Sequence, residues 1–355
     1  MAPRAGRLRR VDWTGPGIVR RRCAKGFCYL DPSGRPVRDP AQLERIRRLA
    51  VPPAWTDVWI CTHTMGHLRA VGTDAAGRRR YLYHELRLHR RNQRKFDHMV
   101  EFAYALPGLR RTVGRDLAAE AVRRERVLAA AVRLLDRGFF RIGSEPYKRT
   151  NGTFGLATLH KDHVRVRDGC VLAFDYLAKG GKRRVQTVHG PDVAALVRRL
   201  KRRRGGGDEL LAWRDGGRWV DIRSADINAY IKAASGGDFS AKDFRTWSAT
   251  VLAFLWLAES GPPPPSQAAR RRAVNEVVKR VAYQLGNTPA VARSSYIDPR
   301  VLDHYASGEA FDTVGAVHAA GKPTQDLLTA SVERAVLGLL DPDGALSPEQ
   351  ARRSA

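Results

Sequence analysis

Ser240-Ala241-Lys242-Asp243-Phe244-Arg245-Thr246-Trp247, and further along Leu285-Gly286-Asn287-Thr288-Pro289-Ala290-Val291-Ala292-Arg293-Ser294-Ser295-Tyr296, bracket the stretch that decides how this chain is read. The first run is a polar cap followed by a helix with Arg245 in its first turn. The helix continues through Val251, Leu252, Phe254, Leu255 and Leu257, so a charge at Arg245 is costly unless it meets a partner or a substrate. In the second run Thr288 and Pro289 suit the cap and first position of a short basic helix, and Tyr296 follows it. A tyrosine there is an unusual core aromatic. The alternative, a packed ring with its hydroxyl tied down, stands beside the reading of Tyr296 as a nucleophile.

The charge balance says what such a nucleophile would meet. The 355 residues include 63 Lys and Arg against 36 Asp and Glu, a formal net charge of +27. The sequence pI is near 10.9. A field of that sign concentrates polyanions, nucleic acid above all, and the excess of arginine favours bidentate grip on phosphate. With 43% hydrophobic residues the chain can bury a core, and its length predicts two domains. Cys23, Cys28, Cys61 and Cys170 are too few and too irregular for a disulfide scaffold or a zinc site, which predicts reduced thiols and a cytoplasmic protein. The basic N-terminus has no apolar core of a signal peptide, and no run of apolar residues is long enough to span a membrane.

Outward from the central stretch, residues 1–90 read as a β-rich unit and 91–355 as mainly helical. Strands are expected at Phe27–Leu30, Val58–Thr62, Leu68–Thr73 and Arg79–Tyr83, with turns at Asp31–Gly34, Thr64–Gly66 and Asp74–Gly77. Asp39 and Pro40 start one helix, striped by Leu43, Ile46 and Leu49, and Val51–Trp55 should then run extended. Helix begins near Glu85; a further one is expected over Asp116–Asp136, with Gly138 as its cap. A meander of Phe154–Leu159, His163–Arg167 and Val171–Leu177, with a fourth run at Arg184–Val188, precedes a helical remainder from Pro191. The basic run Arg198–Arg204 ends in Gly205–Gly207, read as a helix end and loop. The prolines of Gly261–Ser266 make a stiff connector.

Transfer of a phosphodiester to a phenol needs cations on the non-bridging oxygens and a proton donor for the leaving oxygen. The phenol, with an ordinary pKa near 10, needs positive charge nearby to ionise. Arg141, after Phe139 and Phe140 and before Ile142 and Gly143, and Arg245 are the candidates for that charge.

Taken together, Arg141 with Gly143, Tyr147 and Gly155-Leu156, Lys179 in a glycine-flanked hairpin, Lys242–Trp247 and Gly286–Tyr296 resemble the type IB DNA topoisomerases of the poxvirus-like bacterial branch. Val51–Cys61 and Gly66–Tyr83 are similar to that family's N-terminal domain, so the resemblance runs from about residue 11 to about 305. It implies an α+β fold, a small β-rich DNA-binding domain and a mainly helical catalytic domain containing a β-meander, closing as a C-shaped clamp on duplex DNA. It implies that Tyr296 forms a 3′-phosphotyrosyl link, that Arg141 and Arg245 grip the scissile phosphate, and that Lys179 protonates the 5′ oxygen. Ala178-Lys179-Gly180-Gly181-Lys182 departs from the family's hairpin pattern, which makes Lys182 a competitor for that last role. Asn287 stands where viral members carry histidine; an amide can donate to a phosphate oxygen but cannot become cationic.

By the same resemblance Arg80, Tyr81, Tyr83, Ser144, Tyr147 and Lys242 contact DNA, with Arg80 in place of a glutamine and Ser144 in place of a lysine. Strand alternation sets Tyr81 and Tyr83 on one face and Arg80 and Leu82 on the other. The implied reaction uses no metal, cofactor or nucleotide, and the enzyme would be a monomer acting on the bacterial nucleoid. A tyrosine recombinase has a similar constellation, but Lys242 sits where it usually has histidine, and the N-terminal unit is β-rich. A non-catalytic DNA-coating protein is the alternative from another class.

Overall fold

The computed structural model describes residues 7–24, 26–311 and 328–347; the basic N-terminal residues 1–6 lie outside them. Backbone contacts divide the chain into two compact units, Met1–Phe96 and Asp97–Ala355. The protein is a mixed α+β molecule with an N-terminal β-sheet and a larger helical region.

In the first unit β1 (Ile18–Cys23), β2 (Gly26–Leu30), β3 (Thr56–Ile60), β4 (Leu68–Thr73) and β5 (Arg79–Tyr83) form one antiparallel sheet in the order β2-β1-β3-β4-β5. Helix α1 (Pro40–Arg48), capped by Asp39, adds Ile46 to a core of Ile18, Val58, Ile60 and Ala70. Trp59, Cys61, Leu68 and Val71 form a second cluster. Strand β1 escapes a periodicity reading because Arg20, Arg21 and Arg22 interrupt it, yet Arg20 is buried. Its guanidinium donates to the carbonyls of Val51 (3.2 Å), Pro52 (3.1 Å) and Trp55 (2.6 Å). Those three carbonyls converge because Val51–Trp55 turns, with Trp55 N donating to Pro52 O at 3.1 Å; the extended course expected there is corrected.

The reduced state expected of Cys23 and Cys28 is also corrected. They form a disulfide across the β1–β2 hairpin, where Cys23 faces Gly26 and Cys28 faces Arg21, leaving their Cα atoms 6.1 Å apart. Cys61 and Cys170 are free thiols.

Helix α2 (Glu85–Leu117) leads into the second unit, followed by α3 (Arg124–Gly138) and α4 (Glu145–Asn151). The single helix expected over Asp116–Asp136 is broken at Ala118–Arg123, and the left-handed residue that ends α3 is Phe139 (φ 55°) rather than Gly138. Gly138 is needed for another reason: a Cβ there would lie 2.3 Å from the Phe140 ring, which folds back over it. The sheet of this unit is β6 (Val164–Arg167), β7 (Val171–Ala178) and β8 (Lys182–His189), all antiparallel. Then come α5 (Pro191–Lys201), a hairpin of β9 (Ala212–Asp215) and β10 (Arg218–Asp221) in a region expected to be helical, and α6 (Ser224–Ser235).

Helix α7 (Ala241–Glu259) is buried from Phe244 to Leu257, and α3 is buried from Val127 to Asp136 except for the half-buried Arg133. Helices apolar on every side become core, and these two pack on each other with α8 (Gln267–Leu285), α10 (Pro299–Ser307) and α11 (Ala330–Leu340) around α7. Helix α9 (Pro289–Ser295) packs on α8.

One buried polar network ties α2, α3, α7 and α11 together. Arg110 donates to both Asp136 oxygens at 2.9 Å and to Glu333 at 2.6 and 2.9 Å, and Trp247 Nε1 donates to Glu333 at 3.0 Å. Arg110→Ala leaves two carboxylates facing each other without a cation, a loss of about 3 kcal/mol by analogy with broken buried pairs. Calorimetry should record a fall in Tm of roughly 6–12 °C for a unit of this size.

Candidate active site

The C-terminal end of α8 organises the site. A helix end leaves its last carbonyls without intrahelical donors, and the partial negative charge there favours cations. Here arginines from three distant segments supply the donors. Arg184 of β8 donates to Tyr283 O (3.1 Å) and to Gln284 O, Arg245 of α7 to Leu285 O (2.9 Å), and Arg141 to Gly286 O (3.0 Å). Arg141 also donates to Asn287 Oδ1, and Arg245 to Phe139 O, the residue that ends α3. Gly286 takes the left-handed conformation (φ 63°) that closes the helix and delivers Asn287.

Arg141 is held by backbone as well as by its side chain. Leu156 N and Ala157 N donate to Arg141 O and Ile142 O, both at 2.8 Å. This pairing requires glycine on each side, since a Cβ on Gly155 would sit 2.5 Å from Gly143 N. The strand expected at Phe154–Leu159 is therefore corrected: Leu156–Thr158 is a tight helical turn, bent by the Thr158 hydroxyl donating to Gly155 O (3.1 Å) and accepting from Gly155 N.

Tyr296 is the first residue past α9, whose Thr288 cap accepts from Val291 N at 3.3 Å. The Thr250 hydroxyl on α7 donates to Tyr296 O (3.3 Å) and accepts from Asp298 N (3.1 Å), fixing the chain on both sides of the phenol. The Arg245 guanidinium lies 5.1 Å from the centre of the Tyr296 ring. Burial alone would raise the phenol pKa. The charges and hydrogen bonding of Arg245 and then Arg141 outweigh it, and the Tyr296 pKa lies below its ordinary value. Tyr176 is the contrast: near Arg184, Arg245 and Arg141 too, but sealed in the core, it is pushed up to about 12 by burial.

Arg245 is 4% exposed, with no carboxylate partner among the described residues. Burial first, and the neighbouring Arg141 next, lower its pKa to about 10, so it remains a cation at neutral pH. Its Nε and the Asn287 Nδ2 are buried without a hydrogen-bond partner. Unpaired buried donors are expensive; that of Arg245 belongs to a guanidinium beside the half-buried phenol, and that of Asn287 to an amide held by Arg141.

Arg141, Ser144, Tyr147, Lys179, Lys242, Arg245 and Tyr296 all line one cleft of about 450 Å³. Lys179 is on the three-residue tip of the β7–β8 hairpin, where Gly180 and Gly181 take left-handed conformations, and its Nζ is 5.9 Å from the Tyr147 ring centre. Lys182 opens β8 opposite Ala178. Ser144 caps α4, Tyr147 is exposed on it, and Lys242 is exposed on α7.

Arg80, Tyr81 and Tyr83 lie on β5 of the first unit. Tyr81 is exposed and stacks on Tyr83 (6.1 Å), which packs on the Trp59 cluster, while Leu82 joins the Ile18 core. Arg80 donates to Asp74 at 2.8 Å. His160, Asp162 and His163 form a potential metal-ligating group, but Lys148 Nζ lies 2.7 Å from His160 Nε2, and His163 Nδ1 already accepts from His160 N.

No sequence motif marks Arg184 or Thr250 as a site residue. In the sequence Arg184 is only the start of an expected strand. The signal that could have found it is a charged residue in a strand facing an uncapped helix end, and that requires the tertiary fold.

Residues 85–309, more than half of the chain, match the model of the eukaryotic DNA topoisomerase I catalytic core, and residues 26–74 match that of the bacterial DNA topoisomerase IB N-terminal domain. The chain therefore belongs to the type IB DNA topoisomerases, isomerases that act on DNA topology. It is 28% identical over 303 residues to DNA topoisomerase 1B of Acanthamoeba polyphaga mimivirus, covering 83% of this chain and 89% of the relative. It is 24% identical over 287 residues to DNA topoisomerase 1B of Vaccinia virus strain Copenhagen, covering 78% and 86%. DNA topoisomerase 1 of Rabbit fibroma virus is 24% identical over 270 residues. Among the described residues no helix is long and apolar enough to cross a membrane.

Proposed function

We propose that this enzyme relaxes supercoiled duplex DNA by transient cleavage of one strand through a 3′-phosphotyrosyl intermediate. The ionised Tyr296 oxygen, its proton lost to solvent, attacks phosphorus; the bond to the 5′ oxygen breaks, and Lys179 gives that oxygen a proton. The freed end rotates, and the 5′ hydroxyl attacks the phosphotyrosine to restore the strand. The observation that carries this reading is the phenol held beside two guanidinium groups in one cleft, its pKa lowered by them. Arg141 and Arg245 bring the positive charge that a metal would otherwise supply, and the phosphotyrosine conserves the bond energy, so the reaction needs neither metal nor ATP. Asn287, through its unpaired Nδ2, donates to a non-bridging oxygen.

The first unit serves as the DNA-binding domain through Arg80, Tyr81 and Tyr83, and the second as the catalytic domain, with Ser144, Tyr147 and Lys242 on the backbone; a single copy closes on duplex as a C-shaped clamp. A cavity of about 580 Å³ in the first unit, lined by Arg10, Arg87, Arg90, Arg91 and Arg94, supports a phosphate-binding role for that domain. Action on the nucleoid in the cytoplasm is supported by the bacterial type of the N-terminal match and does not rest on the cysteines. Relaxation of a plasmid of arbitrary sequence in EDTA without nucleotide tests the reading; a strict need for magnesium or ATP would overturn it.

The proton donor has its own test. Lys179→Ala should slow cleavage about 10²–10³-fold, and Lys182→Ala should change it by less than about threefold. A substrate with sulfur in place of the 5′ bridging oxygen leaves without protonation, so it should restore the rate of Lys179→Ala. Rescue of Lys182→Ala instead would reassign the role.

A further inference from the structure

A second cavity in the catalytic unit, of about 1220 Å³, shares no lining residue with the cleft around Tyr296. Eight arginines line it, contributed by the segment before α3, the end of α5, the loop after α5 and the β9–β10 hairpin. The other lining residues are alanine, valine, glycine and Trp219, so guanidinium groups are the only polar side chains it offers apart from the indole. None of the eight has a carboxylate partner among the described residues. Like charges gathered around a concavity whose lining holds no carboxylate raise its positive potential, with Asp221, Glu209 and Asp208 acting on Arg203 from behind the lining.

Three of the eight are framework: Arg198 donates to Gly169 O (3.4 Å), Arg199 to Glu120 O (2.8 Å), and Arg203 is the most deeply held. Arg203 is 8% exposed and donates to the carbonyls of Leu200, Leu210, Gly207 and Glu209, which shapes the loop carrying Arg202 and Arg204. Its guanidinium lies 5.5 Å from the Trp219 ring centre, and the indole Nε1 donates to Arg204 O at 3.1 Å. Gly206, left-handed at φ 68°, lets the loop close on Trp219, since a Cβ there would come within 2.7 Å of the tryptophan Cβ. The indole is thus a wall already engaged by Arg203, Arg204 and Gly206, not an open stacking surface for a base. Among the described residues, the lining guanidinium groups without a hydrogen-bond partner are those of the exposed Arg123, Arg202, Arg204, Arg214 and Arg218.

We propose that this cavity binds a soluble phosphate-chain anion, a triphosphate or longer, recognised through its oxygens and charge with no reading of a base. Both an inorganic polyphosphate and a nucleotide tail present that chemistry. A duplex carries its phosphates on a convex surface and would reach the rim rather than the interior.

Calorimetric titration of the full chain with inorganic tripolyphosphate at fixed ionic strength tests the site. The variant Arg202→Gln/Arg204→Gln/Arg218→Gln is compared with Arg165→Gln/Arg271→Gln/Arg272→Gln, which removes the same charge from exposed positions elsewhere. The first should bind at least about tenfold more weakly than the unmodified chain and the second within about threefold, while both relax plasmid at the unmodified rate. ATP should bind the unmodified chain within about threefold of tripolyphosphate. Absence of saturable binding, or equal weakening in both variants, overturns the proposal. So does an ATP affinity more than tenfold above that of tripolyphosphate, or a loss confined to a short DNA duplex.

Discussion

Tyr296→Phe is expected to lower plasmid relaxation by about 10⁴-fold or more, to remove the covalent DNA complex altogether, and to leave duplex affinity within about twofold. The change deletes one oxygen. The ring keeps its place against Arg245, and the backbone keeps its anchors, because these come from Thr250 and from Tyr296 N donating to Ala292 O at 3.0 Å, not from the hydroxyl. Gel shift and covalent trapping on the same preparation separate the two quantities. Residual relaxation above about 1% of the unmodified rate would mean that another group attacks.

Arg245→Lys is the second large effect, with single-turnover cleavage slowed about 10²–10³-fold. A lysine ammonium lacks the planar fork that lets Arg245 hold Phe139 O and Leu285 O at once while covering the phenol. The pH profile gives a readout that simple misfolding does not. Burial raises the Tyr296 pKa and Arg245 is the foremost group lowering it, so weakening that interaction must move the pKa up. The rising limb of cleavage rate against pH should therefore shift to higher pH in the variant, and part of the lost rate should return in alkaline buffer. A lower plateau with an unmoved limb would leave Arg245 a phosphate contact only.

Local chemistry made much of the fold legible. Strands β4 and β5 run over the expected Leu68–Thr73 and Arg79–Tyr83 because the Asp74 carboxylate closes the turn between them, accepting from Ala76 N and Arg78 N at 3.0 Å. Ser240 opens α7 and Thr288 opens α9 as expected, each through a side chain acting within three residues. What was not legible depends on distant partners. Strand β1 is concealed by arginines, one of which is buried only because three carbonyls of a later turn await it. Phe154–Leu159 has the alternation of a strand but bends, since its amides are taken by the Arg141 segment.

The same division holds at the site. Arg141, Arg245, Asn287 and Tyr296 are nameable from their motifs. That the carbonyls closing α8 bind Arg141 and Arg245 together with Arg184 follows from no local pattern, because the three arginines come from a loop, a helix and a strand. The helix end is what joins them: it holds three cations near one another, and two of them lower the phenol pKa.

The most direct measurement is to quench a reaction run in EDTA with denaturant, digest the protein, and identify by mass spectrometry the peptide that carries DNA. A single adduct on Tyr296 is expected, joined to the 3′ phosphate of the cleaved strand and leaving a free 5′ hydroxyl. An adduct on any other residue, or a link to a 5′ phosphate, would contradict the proposed reaction.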